Sequence, residues 1–230
     1  MTIMKRTSAP IFWPIERKTK KFVISPKPGP HRKNECIPLG VIIRDVLHYA
    51  KNVKEVKKIL NNRIVKVDGK IRKDIGFPVG LMDVLSIGNE NFRLLPNKNG
   101  LYLQKIDEKE TSIKLEKIIN KTCIGKKIQL NLHDGKNILV ENNNYKTGDT
   151  IVINLNDNSI KDVFRFEKGS IGLVIRGKRI GFVGRIDKIN ITKSPRPNEV
   201  VMLIGERKVT LPKDYVFIIG KEKPAIALGD

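Results

Sequence analysis

The stretch that most restricts the fold of this chain is RIVKVDGKIRKDI, residues 63–75. Val65 and Val67 alternate with a lysine, which is the period of a half-buried β-strand. Asp68 and Gly69 follow, and an Asp-Gly pair favours the two-residue type I′ turn of an antiparallel hairpin. Lysine and arginine then crowd the returning strand. The stretch therefore predicts a basic β-hairpin in which Gly69 is a structural residue of the turn.

Two short helices are predicted just before this hairpin, between residues 37 and 60. Pro38 stands where a helix can begin. Apolar residues then recur at helical spacing and define one buried stripe, namely Leu39, Ile42, Ile43, Val46, Leu47 and Ala50. Arg44 falls off that stripe, so it is expected to face outward. Asn52 and Glu55 have the spacing of a capping box and open a second helix, whose lysines lie off its apolar face.

The segment before the helices, residues 1–36, combines many cations and prolines with little periodic apolar pattern. The prolines of ISPKPGPHRKNE each restrict the preceding residue to extended conformations, which excludes a helix there. We expect a basic N-terminal arm without a core of its own that orders on a polyanion. Phe12 and Trp13 are expected either to stack on a base or ribose or to cover a domain core.

The middle of the chain, residues 96–170, predicts a central β domain. Apolar residues alternate on both sides of Asn-Asp-Asn in TIVINLNDNSIKDVF, the pattern of a β-meander. KKIQLNLHDGKNILV predicts a hairpin that turns at Asp134-Gly135. His133 stands beside this turn with no second ligand at metal spacing, so the sequence favours no metal site there.

The stretch GLVIRGKRIGFVG, residues 172–184, begins like a nucleotide-phosphate loop, Gly-x-x-x-x-Gly-Lys. Such a loop needs Ser or Thr after the lysine to hold magnesium, and this chain has Arg179 there. The residues between the first two glycines favour an extended strand, and no helical pattern follows. The stretch therefore predicts strand, turn and strand, with Gly177, Gly181 and Gly184 as structural glycines.

Net charge is the strongest compositional signal. The 230 residues include 45 lysines and arginines against 24 acids, a formal charge of +21, and residues 1–75 alone carry 19 basic and 6 acidic side chains. Such an excess causes self-repulsion that a polyanion would offset. Nucleic acid is the expected partner, ahead of an anionic membrane, because no long amphipathic basic helix is present.

Several classes of protein are excluded by the remaining features. No segment reaches the roughly 18 uninterrupted apolar residues of a membrane span, and the basic N-terminus lacks the apolar region of a secretory signal. Cys36 and Cys123 are too few for a disulfide framework, so we expect two buried thiols in reducing cytosol. The sequence holds no supported Ser-His-Asp or Cys-His arrangement and no HExxH. We expect no enzyme activity, no cofactor and no small-molecule substrate.

The sequence VKVDGKIRKDIGFPVGLMDVLSI, residues 65–87, resembles the small RNA-binding fold of bacterial-type ribosomal protein four, tyrosyl-tRNA synthetases and pseudouridine synthases. That resemblance implies that cations of the helix pair and hairpin meet RNA phosphates while the Asp-Gly turn enters a groove. Gly177, Gly181 and Gly184 resemble the KOW motif, the core of a small SH3-like barrel.

Taken over the whole chain, the order of these parts resembles archaeal and eukaryotic small-subunit ribosomal protein four. KRTSAPIFW, PGPHRKNECIPL, GFVGRI and VFIIGKEKPAIAL match that family, whereas VENNNYKTGD stands where the family has a proline-rich loop. The resemblance implies a structural constituent of the small ribosomal subunit in the cytoplasm, bound to ribosomal RNA and to neighbouring ribosomal proteins. It implies a multi-domain α+β fold: a basic arm (1–36), a helix–helix–hairpin RNA-binding domain (37–95), a central β domain (96–170) and a KOW SH3-like barrel with a C-terminal tail (171–230).

The predicted RNA contacts are chosen by charge and position. They are Lys5, Arg6, Trp13, Lys20, Lys21, Lys27, His31, Arg32, Lys33, Arg44, Lys57, Lys58, Arg63, Lys70, Arg72, Lys73, Arg176, Lys178, Arg179 and Arg185. Two alternatives stay open from the residues alone. One is a translation or transcription factor that docks through the KOW barrel, and the other is an RNA-modifying enzyme, which needs a separate catalytic domain.

Overall fold

The computed structural model of the protein describes residues 3–192 and 197–229. The fold is α+β and mostly β, with few helical residues. The chain divides into two compact units, called here the first unit (Met1–Leu95 and Asn99–Lys114) and the second unit (Pro96–Lys98 and Leu115–Asp230). The division into four domains at residues 36, 95 and 170 stays a prediction.

Nine short strands lie in the described residues of the first unit. They are β1 (Ile3–Lys5), β2 (Phe22–Ile24), β3 (Cys36–Pro38), β4 (Val65–Val67), β5 (Lys70–Ile71), β6 (Pro78–Gly80), β7 (Val84–Ile87), β8 (Glu90–Asn97, which ends in the second unit) and β9 (Gly100–Lys105). A five-stranded sheet has the order β5-β4-β7-β8-β9, and two pairs, β1-β2 and β3-β6, accompany it. Apolar side chains from these strands and from the helices form one buried cluster.

Two helical segments lie between β3 and β4. The first is a single α turn, α1 (Leu39–Val41), that continues as a π-helix over Ile42–Val46. The second is α2 (Val53–Asn61). At its start the Asn52 side chain accepts a hydrogen bond from the Glu55 N–H at 3.0 Å, so the capping pattern acts as its spacing predicts. Single 3₁₀ turns occur at Arg6–Ser8, Lys33–Glu35, Glu108–Ser112 and, in the second unit, Lys213–Tyr215.

The Asp-Gly hairpin forms where the sequence predicts it. Asp68 and Gly69 have φ angles of 51° and 74°, in the left-handed region that a type I′ turn requires, and they join β4 to β5. A side-chain oxygen of Asp68 also accepts the Val84 N–H at 3.0 Å. The turn is therefore fixed to the neighbouring strand β7 as well as by its own backbone.

The expectation that Arg44 faces outward is wrong. Arg44 is only 8% exposed, and its guanidinium pairs with Asp45 at 2.7 Å. The π-helix explains the difference, because its backbone bonds join residues five apart, as in Leu47 N–H to Ile42 O at 2.9 Å. A helical wheel of 3.6 residues per turn misplaces side chains within such a segment, and Arg44 is one of them. Arg6, another predicted RNA contact, is 3% exposed and pairs with the same Asp45 at 3.2 Å.

The N-terminal segment packs into the core of the first unit. Ala9, Trp13, Val23 and Ile24 are buried in the same cluster as the helices. The indole N–H of Trp13 donates to the Cys36 carbonyl at 2.9 Å, which satisfies its one polar group in the interior. Of the two roles left open for Trp13, covering a core is the one the structure shows, so this residue is not available to stack on RNA.

The part of the second unit that the structure describes contains ten strands. They are β10 (Ile113–Ile124, which begins in the first unit), β11 (Lys127–Leu132), β12 (Asn137–Val140), β13 (Thr150–Asn154), β14 (Ile160–Phe164), β15 (Ile171–Val174), β16 (Val183–Asn190), β17 (Glu199–Ile204), β18 (Arg207–Pro212) and β19 (Val216–Gly220). One five-stranded sheet has the order β12-β11-β10-β13-β14, and a second has the order β18-β17-β16-β15-β19. Ile118, Leu130, Leu132, Ile151 and Ile153 form a buried cluster in the first of these sheets.

Candidate nucleic-acid interface

Two adjoining clefts in the first unit collect five of the predicted RNA contacts. The lysine cleft, about 470 Å³, is lined by Ile24, Ser25, Lys27, Lys57, Asn61, Lys73, Asp74, Ile75 and Gly76. The arginine cleft, about 560 Å³, is lined by Arg63, Ile71, Arg72, Lys73, Asp74 and Phe77. Lys73 and Asp74 border both, so the clefts form one continuous basic surface. Helix α2 and the segment between β5 and β6 supply most of the lining.

The charge of this surface is strongly unbalanced. Among the residues that the structure describes, five cations line the two clefts against a single carboxylate, Asp74. Lys27 pairs with that carboxylate at 2.6 Å, whereas Lys57, Arg63 and Lys73 form no ion pair with any residue the structure describes. All three are exposed. Cations that are exposed and left without carboxylate partners are available to an external anion.

Asp74 is the carboxylate that the two clefts share. Burial acts to raise its pKa, but hydrogen bonds from the Lys27 ammonium and the Gly76 N–H, at 2.6 and 2.9 Å, lower the pKa below its ordinary value. The carboxylate therefore stays ionised at neutral pH and retains lone pairs that can accept further donors.

Arg72 is held differently from the lysines. Its guanidinium carbon lies 4.3 Å from the centroid of the Phe77 ring, a cation–π stack. Its Nε–H is buried and meets no acceptor among the described residues. Nearby Arg63, which follows α2, has a φ of 60°, where a non-glycine side chain is uncommon.

A buried polar network fixes the hairpin and the N-terminal segment. His31 Nε2 and the Gly80 N–H both contact Asp83 Oδ2, at 2.8 and 2.9 Å. The Lys114 ammonium bridges Asp83 and Asp68 at 2.6 Å each. Burial by itself raises the pKa of Asp83, but Lys114 and His31 outweigh that effect and hold the pKa well below its ordinary range.

His31 is therefore an internal residue, and its prediction as an RNA contact is wrong. It is 8% exposed, and a Cβ added at Gly80 would lie 2.3 Å from its ring, so the glycine makes room for it. The sequence separation of His31 from Asp83 hides this pairing from local pattern analysis. Sequence analysis also missed other residues of the site, because only the folded chain brings them there. These residues are Asn61, Asp74, Phe77, Asp83 and Lys114.

The second unit carries three of its four predicted contacts on the glycine turn, residues 175–182 between β15 and β16, and the fourth, Arg185, in β16. Gly177 and Gly181 have φ angles of 87° and 86°. A Cβ at Gly181 would lie 2.8 Å from the Asn97 Cα, and one at Gly184 would lie 2.4 Å from the Leu203 carbonyl oxygen. These glycines are therefore required by backbone conformation and close approach. Arg176, Lys178, Arg179 and Arg185 are exposed around the turn.

The predicted contacts divide clearly by exposure. Arg6, Trp13, His31 and Arg44 are buried, and Arg72 is half-buried. The others are exposed: Lys5, Lys20, Lys21, Lys27, Arg32, Lys33, Lys57, Lys58, Arg63, Lys70, Lys73, Arg176, Lys178, Arg179 and Arg185.

Other chemistry finds little support in the described part of the chain. Over residues 3–192 and 197–229, no three or more His, Cys, Asp or Glu side chains come together in a way that could hold a metal ion. No helix in the same ranges is both long and apolar enough to cross a membrane. The expectation of two buried thiols is wrong for Cys123, which is exposed, whereas Cys36 is buried and burial raises its pKa to about 12.

Three protein-family profiles match the chain. Residues 4–34 match the RS4NT domain, residues 42–85 match the S4 domain, and residues 88–160 match ribosomal family S4e. Small ribosomal subunit protein eS4 from Methanothermobacter thermautotrophicus is 45% identical over 98% of this chain and 95% of the relative. The protein of the same name from Archaeoglobus fulgidus is 42% identical over 98% and 97%.

A solved structure agrees with these sequence matches. The crystal structure of the 30S ribosomal protein S4e from Thermoplasma acidophilum has a TM-score of 0.72 and 31% identity, and it covers 81% of this chain and 96% of its own. The predicted resemblance and the expectation that the chain is not an enzyme are confirmed, and neither rival function is supported. With relatives this similar over nearly its whole length, the chain belongs to the small ribosomal subunit protein eS4 family.

Proposed function

We propose that this chain is a structural constituent of the small ribosomal subunit in the cytoplasm and that it binds ribosomal RNA mainly through the two clefts. The observation that carries the proposal is that, over the described residues, five cations line the clefts against one carboxylate. The names of its relatives place those proteins in the small subunit. We infer the same assembly here, with neighbouring ribosomal proteins as further partners.

The physical basis is phosphate neutralisation. Lys57, Arg63 and Lys73 are exposed at positions fixed by α2 and by the segment after β5. Each phosphate that such a cation neutralises releases a condensed counterion, so binding weakens as salt rises. The buried network of Asp68, Asp83 and Lys114 holds the hairpin rigid. The entropic cost of ordering the interface on RNA is correspondingly small.

The finer division of the fold is part of the same proposal. We infer that residues 37–95 act as the helix–helix–hairpin RNA-binding domain, which the S4 match over 42–85 supports. We infer that residues 171–230 form an SH3-like KOW barrel, supported by the antiparallel order β18-β17-β16-β15-β19 and the close approach at Gly181 and Gly184. The cations of the glycine turn then form a second, smaller RNA contact.

Gradient sedimentation with small ribosomal subunits, followed by a wash in concentrated salt, tests the assembly. A structural constituent is expected to remain with the subunit in near-equal stoichiometry after the wash. A translation or transcription factor would be substoichiometric and would be released. Release of most of the protein, with the subunit itself intact, would contradict the proposal.

A further inference from the structure

The arginine cleft has features that phosphate binding does not explain. A site for phosphate alone needs cations and N–H donors, whereas this cleft also contains the Phe77 ring and Ile71, which is 46% exposed. Its volume of about 560 Å³ is in the range of sites that hold small organic groups, roughly 300–1,000 Å³. The cleft is therefore suited to a ligand that is partly flat and apolar and partly charged.

We propose that the arginine cleft receives one unpaired base of ribosomal RNA, stacked on the Arg72–Phe77 pair. This inference rests on the proposed function and specifies the form of RNA that the same surface recognises. Unpaired bases in bulges and loops are the parts of RNA that proteins read, and they stack on aromatic rings and on arginine planes. A paired helix, by contrast, offers phosphates and ribose hydroxyls but no free base face.

The orientation of Arg72 supports a stacked ligand. The Phe77 ring lies 4.3 Å from the guanidinium carbon and holds the side chain against the protein, while Arg72 still lines the cleft. Arginine has a planar group that stacks, which a lysine at the same position would lack. The arrangement gives a preorganised platform whose position does not depend on the RNA.

The hydrogen-bonding groups of the cleft complete the match to a nucleotide. Arg72 lines the cleft, and its guanidinium N–H groups can donate to a nitrogen or carbonyl oxygen of a base. Asp74, with Lys27 and Gly76 already bound, keeps lone pairs for the exocyclic amino group of a base. Arg63 and Lys73, exposed at the same cleft, can neutralise the phosphates on either side of that base.

The test compares three RNA hairpins of one sequence: fully paired, with one bulged adenosine, and with an abasic bulge at the same position. The abasic RNA keeps the backbone shape of the bulge and removes only the base. Binding of the full-length protein is measured for the wild type and for Arg72→Lys, which preserves charge without the planar group. Arg32→Lys is the matched control, since Arg32 is an exposed arginine of the same unit outside both clefts.

We expect the wild type to prefer the adenosine bulge over the abasic bulge by roughly 5- to 150-fold, the range that base stacking contributes. Arg72→Lys should lose most of that preference, and Arg32→Lys should retain it. Equal wild-type affinity for the two bulges, or an unchanged preference in Arg72→Lys, would overturn this inference alone. Failure to bind any of the three RNAs would overturn the proposed function as well.

Discussion

The two units of this protein use their positive charge in different ways. In the first unit the cations fall into two groups. Arg6 and Arg44 are buried against Asp45, whereas Lys57, Arg63 and Lys73 line the clefts and form no ion pair with any described residue. In the second unit the predicted contacts lie on or directly beside a turn whose backbone conformation requires glycine.

That difference shows why a sum of charges is a poor guide to an interface. A cation contributes to RNA binding only where the fold leaves it accessible and without a carboxylate partner. Buried arginines instead stabilise the folded unit that holds the exposed cations in position. We therefore expect the first unit to dominate RNA affinity, although both units carry exposed basic residues.

The largest expected effect comes from reversing charge in the clefts. The triple variant Lys57→Glu, Arg63→Glu and Lys73→Glu should weaken binding to small-subunit rRNA by roughly 1,000-fold, because three phosphate contacts become repulsions. The matched variant Lys178→Glu, Arg179→Glu and Arg185→Glu in the second unit should cost only roughly tenfold. Filter binding at one fixed salt concentration measures both. Equal losses would remove the distinction between the units.

Asp83→Asn tests whether buried charge in the first unit is structural. Removing one partner of a buried ion pair leaves Lys114 and His31 poorly compensated, so the free energy of unfolding should fall by about 3 kcal/mol. The pKa of Asp83 is lowered in the folded state, so its contribution is present above the ordinary aspartate pKa and is lost as pH falls through the lower folded value. Urea unfolding of the wild type and the variant should therefore converge in strong acid. A constant difference between them at all pH values would contradict this assignment.

Lys117 provides the corresponding test in the second unit. Its ammonium donates to the carbonyls of Asp214 and Val216 at 3.1 and 2.7 Å. Burial lowers its pKa from 10.5 to about 8, although Asp214 acts in the opposite direction. Because the unfolded chain then binds the proton more tightly, unfolding free energy should rise between pH 8 and pH 10.5, by up to about 3 kcal/mol relative to Lys117→Met. A parallel pH dependence in the two proteins would show that Lys117 is not the titrating group.

Two glycine substitutions compare the turns of the two units. Gly69 has φ of 74° and open space around the position of a Cβ, so Gly69→Ala should cost only backbone strain, about 1 kcal/mol. Gly181 has φ of 86° and a Cβ would also meet the Asn97 backbone at 2.8 Å, so Gly181→Ala should cost about 2–3 kcal/mol. Thermal unfolding of both variants measures the difference. The order of the two costs is the decisive result, and its reversal would count against close approach as the reason for Gly181.

The sequence was sufficient for features whose cause is local. The Asn52 cap, the Asp68-Gly69 turn and the strand–turn–strand around Gly177 each depend on residues a few positions apart, and each forms as predicted. Exposure of the lysines of α2 followed in the same way from helical periodicity.

Features with a non-local cause could not be predicted. The partner of the buried Arg6 guanidinium is Asp45, which accepts its hydrogen bond and lies 39 positions away in the sequence. The partner of the buried His31 ring is Asp83, 52 positions away. Arg44 was misplaced because nothing in its neighbours signals the π-helix. The clefts depend on chain segments that only the folded structure brings together, so Asn61, Asp74 and Phe77 could not be identified beforehand.

The most direct test of the central claim, that exposed cleft cations neutralise rRNA phosphates, is the slope of log affinity against log salt. It is measured for the wild type and for the variant Lys57→Gln, Arg63→Gln and Lys73→Gln. The wild type should show a steep negative slope. The slope of the variant should be smaller in magnitude by roughly 3, about 1 for each cation removed. A flat wild-type response, or a variant slope equal to that of the wild type, would contradict the account.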